Sequence, residues 1–237
     1  PPRSTLFPYT TLFRSVCHPS ECADKLLAGE TDLGLIPVAM LASMDEYHLV
    51  GDYCLSTNGE VRTVLLVSNT PFEQISVIHL DFRSRSSVAL CRILAARFWH
   101  RRFEWRPTDE SFDIRAMAAG EGAVMIGDRC FEYARYFSLR LDLGLEWKRY
   151  TGLPFVFACW ISARKLPEEF TALFNKALGE GLERRNEAVS LLEKDSAATP
   201  EEVIYYLNHN IDYRLDDRKR ESLNTFIAFI KELKLNP

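Results

Sequence analysis

The chain has 237 residues, 47% hydrophobic and 26% charged, with a formal net charge of −4. That is the composition of an ordinary soluble globular protein, long enough for one broad domain or two lobes. It offers no overall basic field for nucleic acid and no apolar run near the roughly 20 residues of a membrane span, so neither partner is expected.

Residues 1–15, PPRSTLFPYTTLFRS, repeat Thr-Leu-Phe between two Arg-Ser pairs. The segment lacks the apolar core of a signal peptide and any amphipathic period. It reads as a translated sequencing-adaptor scar, and it is set apart from the fold. From residue 16 onward, helices and strands alternate. A short helix is expected over 19–28, stopped by Gly29, then a buried strand over 32–37 and a short helix over 38–44. Strands at 48–55 and 61–68 flank the turn Thr57-Asn58-Gly59.

A strand at 76–81 leads into FRSRSS (82–87) and an amphipathic helix over 88–101, with Cys91, Leu94, Ala95 and Phe98 as its apolar stripe. The helix start gathers Ser84, Ser86 and Ser87 with the guanidiniums of Arg83 and Arg85. Serines there can be plain caps, each worth about 1 kcal/mol. Their place after a strand, at a helix N-terminus, also suits an anion, and arginine forks suit carboxylates.

Further on, helix is expected at 114–119, strand at 122–127, helix at 128–137 and strand at 138–142. Asp128 reads first as an N-cap and second as an acid–base candidate. A strongly apolar strand at 154–161 precedes a long helical stretch at 167–192. Thr199-Pro200-Glu201-Glu202 is a capping box with proline at the first helical position, and 216–233 is a closing amphipathic helix. The alternation implies mostly parallel sheets, and the late helical run implies a chain that leaves one lobe, builds a second and returns. Cys17, Cys22, Cys54, Cys91, Cys130 and Cys159 show no metal-binding spacing. Thiols scattered in this way suit a reducing compartment, so the cytoplasm is expected.

The runs VRTVLLVS (61–68), LDFRSRSSV (80–88), VMIGD (124–128), DLGLEW (142–147) and TGLPFVFACW (151–160) occur in that order. Together they resemble the chorismate dehydratases of the futalosine route to menaquinone, from residue 16 to the C-terminus. The resemblance implies a two-lobe α/β fold like the type-2 periplasmic binding proteins. Lobe 1 would hold residues 16–68, lobe 2 residues 69–153, and residues 154–237 would return to complete lobe 1. It implies removal of water from chorismate to give 3-[(1-carboxyvinyl)oxy]benzoate, with no metal or redox cofactor, since loss of the hydroxyl and a ring hydrogen leaves an aromatic ring.

Two substrate carboxylates need a local concentration of donors. The implied contacts are Thr63, Ser84, Arg85, Ser86 and Ser87, with Thr151, Pro154 and Phe155 at a crossover that can also be hinge packing. Thr63 stands where the family commonly has serine, and it keeps the hydroxyl. Arg62, next to Thr63 in a strand, is expected to face the other way. No side chain is an obvious base, which leaves the substrate's own carboxylate to take the ring proton, with Asp128 as the weak protein candidate. Family members carry an N-terminal strand with a substrate-contacting Asn that residues 1–15 do not match, so this chain is expected to be inactive. Two alternatives share the fold: a non-catalytic solute-binding or sensing protein, and the sister 1,4-dihydroxy-6-naphthoate synthase. Oligomeric state is left open.

Overall fold

The computed structural model describes residues 19–187, 189 and 197–235. The segment 1–15, and residues 188 and 190–192 of the expected long helix, lie outside them. In chain order, helix α1 (Pro19–Leu27) buries Ala23 and Leu26. It ends on Gly29, at φ +72°, whose N–H donates to the Leu26 carbonyl while that of Glu30 donates to the Lys25 carbonyl. That paired reversal is the usual glycine stop of a helix. Strand β1 (Gly34–Pro37) runs into a buried 3₁₀ turn at Val38–Ser43. Then come β2 (His48–Thr57), β3 (Val64–Ser68), β4 (Val77–Leu80), α2 (Arg85–Arg97), β5 (Glu104–Pro107) and β6 (Glu121–Ile126).

Helix α3 (Arg129–Tyr133), β7 (Leu139–Asp142), α4 (Leu143–Thr151) and β8 (Phe155–Ser162) follow. The C-terminal part holds α5 (Glu168–Glu183), α6 (Pro200–Tyr205), a π-helical turn at Tyr206–Asn210, β9 (Asp212–Arg214) and α7 (Asp217–Glu232). The strands form a four-stranded sheet of order β1-β8-β2-β9 and a five-stranded sheet of order β5-β4-β6-β3-β7. The two-lobed α/β class stands, and the direction of pairing needs correcting. Among the described residues, five strand pairings are antiparallel, and only β4–β5 and β4–β6 are parallel. The reason is the route of the chain. Only β4–α2–β5 joins neighbouring parallel strands through one crossover helix. Strands β3 and β8, which carry the chain into each sheet, run against their neighbours there.

Other expectations shift for local reasons. The strand expected at 61–68 begins at Val64 and lies inside the five-stranded sheet, so the first crossing between sheets falls at 58–63 and not after Ser68. The helix expected from 88 starts at Arg85. The one expected at 128–137 breaks into α3 and a 3₁₀ turn at Ala134–Tyr136, and that at 114–119 is the 3₁₀ turn Ile114–Ala116.

All five residues of β3 are buried, because it is covered on both faces. Val64 and Leu66 face the main core with Ile78, Leu90 and Leu94, whereas Leu65 and Val67 face a smaller cluster with Met125 and Phe137. The main core is continuous across both sheets. Trp147 of α4 is fully buried at its centre, edge-on to Phe155 and Phe226 at 5.3 and 5.9 Å, with its indole N–H donating to Ser222 Oγ at 3.0 Å. Buried Lys219 ties α7 to β9, its Nζ lying 2.7 Å from Asp212 and 3.1 Å from Asp216.

Candidate functional site

Strand register brings the singled-out segments to one edge. Strands β4 and β6 are parallel, β3 runs against β6, and β7 runs against β3 with Asp142 opposite Leu65. The carboxyl ends of β4, β5, β6 and β7 therefore share an edge with the start of β3. Thr63, the 81–87 segment, the Gly127–Asp128 turn and Asp142 all lie along it, and α2, α3 and α4 begin there. The Gly127 N–H donates to the Thr63 carbonyl at 2.9 Å, closing the β3–β6 corner. In open α/β sheets this carboxyl edge is where ligands sit.

The serines at the start of α2 have separate tasks. Ser84 is the N-cap, accepting the Ser87 N–H at 3.3 Å. Ser86 is buried, and its hydroxyl ties α2 to the four-stranded sheet, accepting the Ala39 N–H at 3.2 Å and donating to the Phe157 carbonyl at 3.0 Å. Ser87 is buried in the first turn. Arg85 turns to α1, where it forks onto both Asp24 oxygens at 3.0 Å and places its other terminal nitrogen 2.8 Å from the Met40 sulfur. The Arg83 guanidinium lies 4.8 Å over the Phe82 ring, and the Arg83 backbone N–H donates to the Asp81 carboxylate at 2.8 Å. A cavity of about 310 Å³ opens beside them, lined by Asp81, Ser84, Arg85, Arg92 and Pro107 among others.

At the other end of the edge, the Thr63 hydroxyl lies 2.8 Å from the Tyr206 hydroxyl, bridging the five-stranded sheet to the C-terminal region. Burial pushes the Tyr206 phenol up to about 12, so it is neutral near pH 7 and available as a donor. Phe131 stands edge-on to Tyr206 at 5.5 Å. Asp142 accepts three backbone N–H groups, those of Val61 and Arg62 at 2.9 and 2.6 Å and that of Leu145 at 3.0 Å. Burial nevertheless raises its pKa, opposing those bonds. Asp128 is exposed at the start of α3 and makes no side-chain capping bond.

The 151–155 segment serves the crossover. The Thr151 hydroxyl donates to the Trp147 carbonyl at 2.9 Å and accepts the Leu153 N–H at 3.1 Å. Pro154 is buried, and Phe155 packs against Phe157 and Phe226 at 4.7 and 4.9 Å. Arg62 behaves differently from the strand alternation expected for it. It precedes β3 at φ +65°, so it and Thr63 do not point to opposite faces of a strand. Sequence reasoning also missed Tyr206 and the threefold role of Asp142. The DLGLEW run held the one local signal, an Asp three residues ahead of the N–H it caps. Among the described residues, no group of three or more His, Cys, Asp or Glu is arranged to hold a metal ion, and no helix is long and apolar enough to cross a membrane.

Two sheets joined by two crossings, with helices starting along the carboxyl edge of one of them, form a fold of the periplasmic-binding-protein-like class. A protein of Archaeoglobus fulgidus superposes with a TM-score of 0.67 at 16% identity, covering 92% of this chain and 85% of that one. The alkanesulfonate-binding protein of Xanthomonas axonopodis pv. citri gives 0.55 at 15% identity, covering 92% and 81%. Within that class, the chain belongs to the menaquinone biosynthesis family, whose sequence pattern matches residues 6–232. It is 28% identical over 229 residues to a chorismate dehydratase of Thermus thermophilus, covering 88% of this chain and 83% of the relative. A chorismate dehydratase of Campylobacter jejuni is 28% identical over 120 residues, 48% of this chain and 52% of that one.

Proposed function

We propose that the protein is a chorismate dehydratase, a lyase that removes water from chorismate to give 3-[(1-carboxyvinyl)oxy]benzoate for menaquinone. The observation that carries this reading is the similarity to the Thermus thermophilus enzyme along most of both chains. The carboxyl edge suits the substrate chemically, since its hydroxyls, helix starts and arginines supply donors for two carboxylates in a protein of net charge −4. The solute-binding and naphthoate-synthase readings are not favoured by these similarities. The natural division is one lobe around the four-stranded sheet and one around the five-stranded sheet, with the ligand between them. The proposed location is the cytoplasm.

In the elimination, the ring C–H bond breaks to a base, the C–O bond breaks, and the departing hydroxyl leaves as water by taking up the proton the base has received. The substrate's own carboxylate takes the ring proton. The protein orients the ring through Thr63, Ser84 and the neighbouring α2 start, and Tyr206 offers a neutral hydroxyl. The test is product analysis after incubation with chorismate. Two chains are compared: this one, and one with residues 1–15 replaced by the matching segment of the Thermus thermophilus relative. The aromatic enol ether is expected from the second and little from the first. Two folded proteins that both leave chorismate untouched would sink the reading. Asp128→Asn keeps turnover if the substrate supplies the base; a collapse with binding intact makes Asp128 the base.

A further inference from the structure

We infer that Arg62 is the cation that receives one carboxylate of the ligand, an inference that rests on the site reading proposed above. Arg62 has φ +65°, in the left-handed region that a side chain with a Cβ rarely adopts. Glycine or asparagine would sit there at lower cost. The conformation is imposed from outside, because Asp142 Oδ2 holds the N–H groups of Val61 and Arg62 together. A residue kept in a costly conformation by a buried carboxylate is a candidate for function.

The conformation has a directional result. Thr63 reaches the Tyr206 hydroxyl while the Arg62 guanidinium stands 6.0 Å from the Tyr205 ring and 6.0 Å from the Phe131 ring. Both residues thus face the same α6 junction, across the first crossing between sheets. Ring faces on α3 and α6 bracket the cation without neutralising it, and among the described residues no carboxylate pairs with it. Arg85, the arginine the sequence reading placed at the site, is already engaged by both Asp24 oxygens. A guanidinium flanked by two rings keeps its fork of N–H donors, and a carboxylate is the planar anion that matches that fork.

The experiment is calorimetric titration with chorismate of the full chain carrying the replaced residues 1–15 described above, with melting temperatures measured alongside. Arg62→Asn removes the charge and keeps a residue that tolerates positive φ. It should weaken binding about 10- to 100-fold with the melting temperature unchanged or raised. Arg62→Lys should recover part of the loss. Unchanged affinity in R62N overturns the inference. So does weakened affinity accompanied by a fall of more than about 4 °C in melting temperature, which would mark Arg62 as structural. A parent chain with residues 1–15 so replaced that still binds no chorismate overturns instead the function on which the inference depends.

Discussion

Thr63 and Tyr206 meet through hydroxyls alone, and that makes their chemistry easy to separate from their packing. Thr63→Val keeps the shape and orphans the buried phenol, which should cost about 1–2 kcal/mol in stability and weaken chorismate binding. Thr63→Ser keeps the donor and should retain both. Urea unfolding and titration of the two variants check this, and equal behaviour of Val and Ser would remove the hydroxyl from the site. Because the phenol ionises only at about 12, the Thr63–Tyr206 bond should be insensitive to pH across the neutral range. Arg62 shows why single residues are the hardest scale to read from a sequence. Its conformation is imposed by Asp142, 80 positions away, whereas the strand pattern VRTVLLVS implies alternation and nothing else.

The N-cap and first turn of α2 carry three serines within four residues, and hydrogen bonding predicts different costs for them. Ser84→Ala removes one cap bond at a part-exposed end and should cost about 1 kcal/mol. Ser86→Ala leaves the Ala39 N–H and Phe157 carbonyl buried without their partner and should cost about 2–3 kcal/mol. Denaturant midpoints decide it, and equal losses would mean that Ser86 is no more than another helix-start residue. Elements were legible where their causes are local. The capping box at Thr199 forms as read, with Thr199 Oγ1 accepting the Glu202 N–H at 3.2 Å and Glu202 accepting the Thr199 N–H at 2.9 Å, because both partners lie within one turn. The buried strands at β1, β3, β6 and β8 were legible from their apolar runs. Strand direction was not, since a run such as Val64–Ser68 reads the same whichever way its neighbours point. The three-residue edge strand β9 depends on Tyr53 and Ser56 of β2 for its pairing, and nothing in its own composition announces it. Of the site, the segments could be named from motifs, but their meeting at one edge follows from register.

For the molecule as a whole, burial sets the pH range over which the fold holds. Burial raises Cys54 to about 11, Cys91 to about 12 and Tyr206 to about 12. In each case the folded state binds its proton more tightly than the unfolded chain, where thiols titrate near roughly 8.5 and phenols near roughly 10. Stability should therefore be full below about pH 8 and fall as pH rises towards those folded values. Lys219 acts in the same direction: burial lowers its pKa, but the hydrogen bonds to Asp212 and Asp216 outweigh that and raise it. On the acid side, Asp216 is desolvated yet held low by Lys219, so its contribution is lost as pH drops below the ordinary carboxylate value of about 3.9. Urea midpoints from pH 7 to 11 should decline, and less steeply in the Cys54→Ala, Cys91→Ala double variant. A flat wild-type profile would refute this.

The Asp142 carboxylate touches both passages of the chain between the sheets. It holds the Val61 and Arg62 N–H groups on the outward passage and the Leu145 N–H at the start of the return. The two connections are thereby riveted to one side chain, so that removing this single carboxylate would release both passages at once.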